Sequence, residues 1–327
     1  MPTAPSAGTD TPRCVWEAGA LLGEGPLWCP LNSVLYWIDI KGRAIHRYRP
    51  GDGVRETIKT PDEIGCIVLR EGGGMIAAFR SGISFFNPES GLREMIVDPE
   101  SHLPGNRFND GKCDRRGRLW VGSMDDGAKR ATGSLYRLSS DMKIKKMLGG
   151  IVVANGLGWS PDDKTMYFTD SENRLIFAFD YDIESGEAVN QRVFAEIPGD
   201  AGVPDGMTVD ALGYVWSAHW DGWRVTRYDP SGAVERIIRM PVPRPTSCMF
   251  GGEGLDRLYV TSASIGLTDR QLAESPLSGG LFEIDPGAGI KGLPEPRALS
   301  GQIESSALRI GEAIRQARRE KRCKSIG

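Results

Sequence analysis

Short apolar runs recur along the chain, each flanked by turn-forming residues. Six of them align: Leu35-Tyr36-Trp37-Ile38, Met75-Ile76-Ala77-Ala78, Leu119-Trp120-Val121-Gly122, Met166-Tyr167-Phe168-Thr169, Val215-Trp216-Ser217-Ala218 and Leu258-Tyr259-Val260-Thr261. Taking the second residue of each as a marker, the intervals are 40, 44, 47, 49 and 43 residues. A turn-rich stretch precedes most markers, as in Asp114-Arg115-Arg116-Gly117 and Asp210-Ala211-Leu212-Gly213. A further run follows, as in Ala44-Ile45-His46-Arg47-Tyr48 and Leu175-Ile176-Phe177-Ala178-Phe179, and several end in a second turn such as Asp229-Pro230-Ser231-Gly232. Turn, strand, turn, strand is the signature of an antiparallel meander, in which Gly, Asn and Asp supply the positive φ of the hairpins. A period of ~40–50 residues is that of a four-stranded propeller blade. The pattern therefore predicts an all-β chain, a six-bladed β-propeller with four-stranded antiparallel blades; the competing reading is a β-sandwich with coincidental spacing.

A ring of blades must close. The short apolar stretch within residues 14–22 precedes the first inner strand, and it is expected to pair into the last blade. This places a flexible N-terminus at 1–12, the propeller at 13–300 and an appendage at 301–327. The appendage reads as helix, with Ile303, Ala307, Ile310 and Ile314 at helical spacing. It is basic, with seven Lys or Arg against three Glu from residue 303 onward. A packed terminal appendage is the plainer reading, a nucleic-acid or membrane contact the sharper one.

Composition changes this picture in a few places. A length of 327 residues suggests about two domains, whereas the repeat replaces two domains with one ring of small units. The 42 glycines, about 13% against a usual ~7%, match a chain built from many hairpins. Lys plus Arg is 40 and Asp plus Glu is 43, so no nucleic-acid partner is expected. No apolar stretch approaches the ~18 residues of a membrane span, and no membrane partner is expected. The first residues lack a charged segment followed by an apolar one, and the six cysteines never form a C-x-x-C pair. Reduced thiols and a cytoplasmic location are the expectation, with the chain a monomer or small homo-oligomer.

The chemistry is sought where inner strands meet the axis. Eleven to thirteen residues before each marker stand Glu24, Glu63, Asn109, Asn155, Asp205 and Ser247, so every blade places a polar residue at the mouth of its inner strand. Three lie in glycine-rich context: Gly23-Glu24-Gly25-Pro26, Ala154-Asn155-Gly156-Leu157 and Pro204-Asp205-Gly206-Met207. Two carboxylates and an amide carbonyl converging on one axis make a hard oxygen site for a divalent cation. Each taken singly is equally a turn cap bonded to nearby amides. Other chemistries find little support. The three histidines, His46, His102 and His219, have no metal-ligand spacing, and there is no G-x-S-x-G elbow, P-loop or dinucleotide fingerprint. Asp180-x-Asp182-x-Glu184 resembles the start of an EF-hand loop, but Ser185 stands where that loop needs Gly, which makes it a strand-turn segment. His219 is either a rim contact or a packed core histidine.

At these positions the sequence resembles the regucalcin/gluconolactonase group, which includes senescence-marker protein and luciferin-regenerating enzyme. The matching segments are Leu22-Gly23-Glu24-Gly25-Pro26-Leu27-Trp28, Asn106-Arg107-Phe108-Asn109-Asp110-Gly111-Lys112, Asn155-Gly156-Leu157-Gly158-Trp159-Ser160, Pro204-Asp205-Gly206-Met207 and Thr246-Ser247-Cys248-Met249-Phe250-Gly251-Gly252. The resemblance implies a six-bladed propeller that hydrolyses sugar lactones to aldonic acids. It implies that Glu24, Asn155 and Asp205 hold one divalent metal ion, which across the family is Ca2+, Zn2+, Mn2+, Mg2+ or iron. It further implies that Asp205 is the base for water and that Arg107 and Asn109 contact the sugar. Two departures stand out. Gly158 occupies a position where many relatives carry Asp. Ser123-Met124-Asp125-Asp126-Gly127 stands where regucalcin-like members carry a substrate-contacting Glu, and Asp126 is the candidate to replace it. The alternatives are an aryl-ester, organophosphate or non-sugar lactone hydrolase on the same site, or a non-catalytic calcium-binding propeller.

Overall fold

In a computed structural model, which describes residues 11–299, the strands assort into six four-stranded antiparallel sheets. Five are consecutive meanders, beginning at Gly23–Cys29, Ile64–Leu69, Asn106–Cys113, Ala154–Trp159 and Val203–Val209. The sixth holds Pro245–Gly251, Arg257–Ser262 and Leu281–Ile284, and takes its outer strand, Arg13–Trp16, from the other end of the chain. The expected closure is thus observed: Arg13 pairs with Glu283 and Cys14 with Phe282. Each inner strand contacts the inner strand of the next blade, and the sixth contacts the first, so the sheets form a closed six-bladed propeller.

Why these sequences form these strands follows from where they lie. A sheet packed between two neighbours is buried on both faces, so its inner strands read as continuous apolar runs rather than as alternation. Val34–Asp39, Met75–Phe79 and Leu119–Asp125 are buried at every position. The outer strands, such as Val54–Lys59, are largely exposed and carry the charges. The core is accordingly divided into six clusters, one between each pair of blades. Leu27 and Ile38 of blade 1 pack on Ile67 and Phe79 of blade 2, and Trp37 of blade 1 packs with Tyr259 of blade 6. The turns are pinned by buried acids. Asp210 accepts hydrogen bonds from the amides of Leu212 (2.9 Å) and Tyr214 (3.0 Å), from Trp216 Nε1 (3.0 Å) and from Arg227 Nη2 (2.7 Å). Asp114 repeats the arrangement two blades earlier, with Arg118 Nε at 2.6 Å and Trp120 Nε1 at 3.1 Å.

Residues 285–299 run as a strap over the ring. Asp210 bridges Gly292, Arg70 bridges Ala298, and the Leu299 amide donates to Gly117 O at 3.0 Å. One short helix, Asp269–Glu274, is capped by Thr268. Among the described residues no helix is long and apolar enough to cross a membrane, and Cys14, Cys29, Cys66, Cys113 and Cys248 are free thiols. The basic appendage expected at 301–327 lies outside the described residues.

Candidate metal centre and active site

Every inner strand carries a β-bulge near its start. The pairing register slips between Glu24 and Leu27, Ile64 and Cys66, Phe108 and Gly111, Asn155 and Leu157, Pro204 and Met207, and Pro245 and Ser247. A bulge breaks the two-residue alternation and re-aims the side chain beside it. Asn109 and Asp205 lie within bulges, while Glu24 and Asn155 lie at their edge. Glycine is needed here for two reasons. Gly25 and Gly156 adopt φ of 48° and 27°, which favour glycine. At Gly206 and Gly156 the next blade comes too near for a side chain: a Cβ would meet Ser247 Oγ at 2.2 Å and Asp205 O at 2.7 Å, respectively.

These bulges bring Glu24, Arg107, Asn109, Asn155 and Asp205 to one cavity of about 220 Å³, whose walls also include Leu22, Met124, Val153, Ser171, Val203 and Trp220. All five are about 5–6% exposed. Of the six equivalent mouth positions, two are absent from this lining. Glu63 faces Lys41 and Arg80 in ion pairs of 3.0 and 3.1 Å. Ser247 lines a narrower space of about 20 Å³ that also involves Cys66, Asp110, Lys112 and Glu295. Asp126 is also absent from the cavity lining and sits against Arg107, Lys41 and Arg80. His219 is a packed core histidine. Its Nδ1 lies 2.9 Å from Ala201 O and its Nε2 3.3 Å from the Tyr228 hydroxyl, and burial lowers its pKa to about 4.

The cavity is electrostatically unfinished. Burial, reinforced by the charges of Asp205 and Asp110, raises the Glu24 carboxyl well above its ordinary range. Burial and the Asp110 charge do the same to Asp205, with the Asn155 amide opposing. Asn155 Nδ2 donates to Ser171 Oγ at 3.1 Å, which directs its oxygen elsewhere. Among the described residues, Asn155 Oδ1 and Asp205 Oδ1 are buried acceptors with no hydrogen-bond partner. Such acceptors are costly unless something supplies positive charge. No three His, Cys, Asp or Glu side chains cluster as metal ligands among the described residues; what this lining could offer a cation is the two buried carboxylates and the amide oxygen of Asn155. An all-oxygen set with two negative charges and orphaned lone pairs fits a hard divalent cation.

In the same lining, Arg107 Nη1 donates to Asn109 Oδ1 at 2.6 Å and to Phe108 O at 3.0 Å, and Asn109 Nδ2 donates to Ala154 O at 2.8 Å. Both side chains are held before any ligand arrives. Asp110, Lys41, Arg80, Ser171 and the strap residue Glu295 were not singled out from the sequence. Only Asp110 carried a signal, its place inside Asn106-Arg107-Phe108-Asn109-Asp110-Gly111-Lys112.

Comparison with known proteins adds independent findings. A family profile described as SMP-30/Gluconolactonase/LRE-like region matches residues 22–264. The chain is 38% identical over 274 residues to 6-deoxy-6-sulfogluconolactonase of Pseudomonas putida, covering 84% of this chain and 94% of that one. It is 40% identical over 265 residues to L-arabinolactonase of Azospirillum brasilense, covering 80% and 87%. Among solved structures, the calcium-binding protein regucalcin of Agrobacterium tumefaciens superposes with a TM-score of 0.84 at 30% identity, covering 87% of this chain and 96% of that one.

Proposed function

The chain belongs to the SMP-30/gluconolactonase/LRE-like family and is a sugar lactone hydrolase, and we propose that it opens aldonolactones to aldonic acids with one divalent cation at Glu24, Asn155 and Asp205. The observation that supports this reading is the pair of orphaned buried oxygens, Asn155 Oδ1 and Asp205 Oδ1, in residues that line one cavity with Glu24 and Arg107. A divalent cation held there by Glu24, Asn155 and Asp205 would supply Lewis-acid polarisation of the lactone carbonyl.

The chain's own residues supply the rest. Asp205, buried and with an unpartnered oxygen, accepts the proton of the water that attacks the carbonyl carbon. The C–O bond to the ring oxygen breaks as the carbonyl re-forms, the leaving oxygen takes up a proton, and the product is the open hydroxy acid. Arg107 and Asn109, already fixed by each other and by blade 4, present donors to the oxygens of the polyol. The apolar wall of Leu22, Met124, Val153, Val203 and Trp220 supports a second reading, that aryl esters or non-sugar lactones also enter.

The test is a panel of aldonolactones and one aryl ester followed by pH-stat, with and without EDTA and with metal analysis of the purified protein. Asp205→Ala is expected to abolish lactone turnover and metal binding together, and turnover by that variant after metal stripping refutes the role of Asp205. Arg107→Ala is expected to reduce sugar lactones more than the aryl ester, and equal losses refute its contact with the sugar.

A further inference from the structure

Among the described residues Arg107 is the only cation in the lining of the cavity, and a buried guanidinium is useful to a substrate only if it is held in one orientation. Two of its contacts are within its own strand, to Asn109 Oδ1 and Phe108 O. The third comes from outside: Arg107 Nε donates to Asp126 Oδ1 at 2.8 Å. Asp126 is the carboxylate paired with Arg107.

Asp126 is itself held by two further cations. Its Oδ1 also accepts from Lys41 Nζ at 2.7 Å, and its Oδ2 accepts from Arg80 Nη1 at 2.8 Å. Lys41 and Arg80 both bond Glu63 as well, at 3.0 and 3.1 Å. The five groups come from three consecutive blades: Lys41 follows the second strand of blade 1, Glu63 and Arg80 belong to blade 2, and Arg107 and Asp126 belong to blade 3. Three of the roughly four acceptor sites of its carboxylate are taken by cationic partners, and Asp126 has no place in the cavity lining. The network holds three positive groups against two carboxylates. Asp126 therefore shares its charge among three partners, and the Nη2 group of Arg107 makes none of the three bonds named above. Burial opposes the charged form of Asp126, yet the bonds from Lys41 and Arg80 and the Arg107 charge hold its carboxyl well below the ordinary range, so it stays ionised.

We propose that Asp126 is a positioning residue for lactone hydrolysis: anchored by Lys41 and Arg80 of the preceding blades, it fixes the Arg107 guanidinium toward the oxygen-rich end of the substrate and does not touch the substrate itself. The inference rests on the sugar-lactone reading. It replaces the expectation that Asp126 contacts the sugar.

A double-mutant cycle tests it, using wild type, Asp126→Asn, Asp126→Glu, Arg107→Ala and the Arg107→Ala/Asp126→Asn pair, with melting temperature as the control for folding. Asp126→Asn is expected to lower kcat/KM for an aldonolactone about 10- to 100-fold. In the Arg107→Ala background the same change is expected to cost less than about twofold, and Asp126→Glu is expected to recover part of the loss. A loss that persists undiminished without Arg107 overturns the proposal in favour of direct contact, and no loss in either background overturns it outright. A readout independent of turnover separates this from the lactonase reading: the Arg107 Nε–H NMR signal should exchange slowly in wild type and Asp126→Glu and quickly in Asp126→Asn. If wild type opens no aldonolactone, the lactonase reading fails, and equal Nε–H exchange in all three proteins overturns the positioning role.

Discussion

Replacing Gly206 by alanine adds a single methyl group beside Asp205. Gly206 follows Asp205 in the bulge of the blade 5 inner strand, facing blade 6. The new Cβ would lie 2.2 Å from Ser247 Oγ, 2.5 Å from Ser247 Cβ and 2.9 Å from Ser247 Cα. Carbon atoms pack at ~3.5–4.0 Å, so relief of the Ser247 Cβ contact requires a shift of roughly 1–1.5 Å. The hydroxyl can rotate away, but Cα belongs to the neighbouring inner strand, and the ring resists its movement. Overpacking of this kind costs about 1–3 kcal/mol, which in a domain of this size lowers Tm by about 2–5 °C. The effect on catalysis is expected to be larger, because a displacement near 1 Å at a reacting group costs roughly 100-fold. The assay is kcat/KM on an aldonolactone together with thermal unfolding, for Gly206→Ala and for Gly206→Ala/Ser247→Gly. The second change removes the two closest contacts and is expected to restore part of both losses. Gly199→Ala serves as the control, since a Cβ there meets nothing within 4 Å. A Gly206→Ala protein that melts and turns over like the control refutes the argument that close contact between inner strands sets the position of Asp205.

The remaining predictions concern charge and closure. Glu24 and Asp205 have pKa values raised by burial, so the metal-free native state holds more protons than the unfolded state above the ordinary carboxyl range, and their contribution to stability falls as pH rises through the raised values. Glu24→Gln should therefore gain stability relative to wild type as pH increases in EDTA and lose that advantage when metal is added, as read from urea midpoints; a pH-independent difference refutes the cluster. Asp210→Asn leaves the buried Arg227 without its closest carboxylate and is expected to cost about 3–5 kcal/mol, read from urea midpoints, whereas Asp229→Asn, in an exposed turn, should leave the midpoint nearly unchanged. Deleting residues 1–20 removes the outer strand of blade 6 and strips Val15 and Ala20 from its core. Soluble folding should be lost, and an unchanged melting temperature would show that the ring does not depend on this closure.

The repeat was legible because each blade is a local unit. Its turns need particular residues at particular places, and its inner strands need apolar side chains on both faces, so spacing alone counted the blades and gave their register. Register in turn named Glu24, Asn109, Asn155 and Asp205, since equivalent positions in successive blades must meet on one axis. The resemblance contributed Arg107 and the chemistry. What the sequence did not separate was which of the six equivalent residues reaches the cavity. Glu63 is drawn away by Lys41 and Arg80, and Ser247 lines the narrower space with Asp110 and Glu295. Those outcomes depend on how each bulge turns and on charges carried by other blades, tens of residues away. The same holds for Asp126, whose partners Lys41 and Arg80 lie 85 and 46 residues earlier. Blade number and strand register follow from local periodicity and are written in the chain, whereas the assignment of each charge to substrate, metal or scaffold is settled only when the ring closes and brings distant blades into contact.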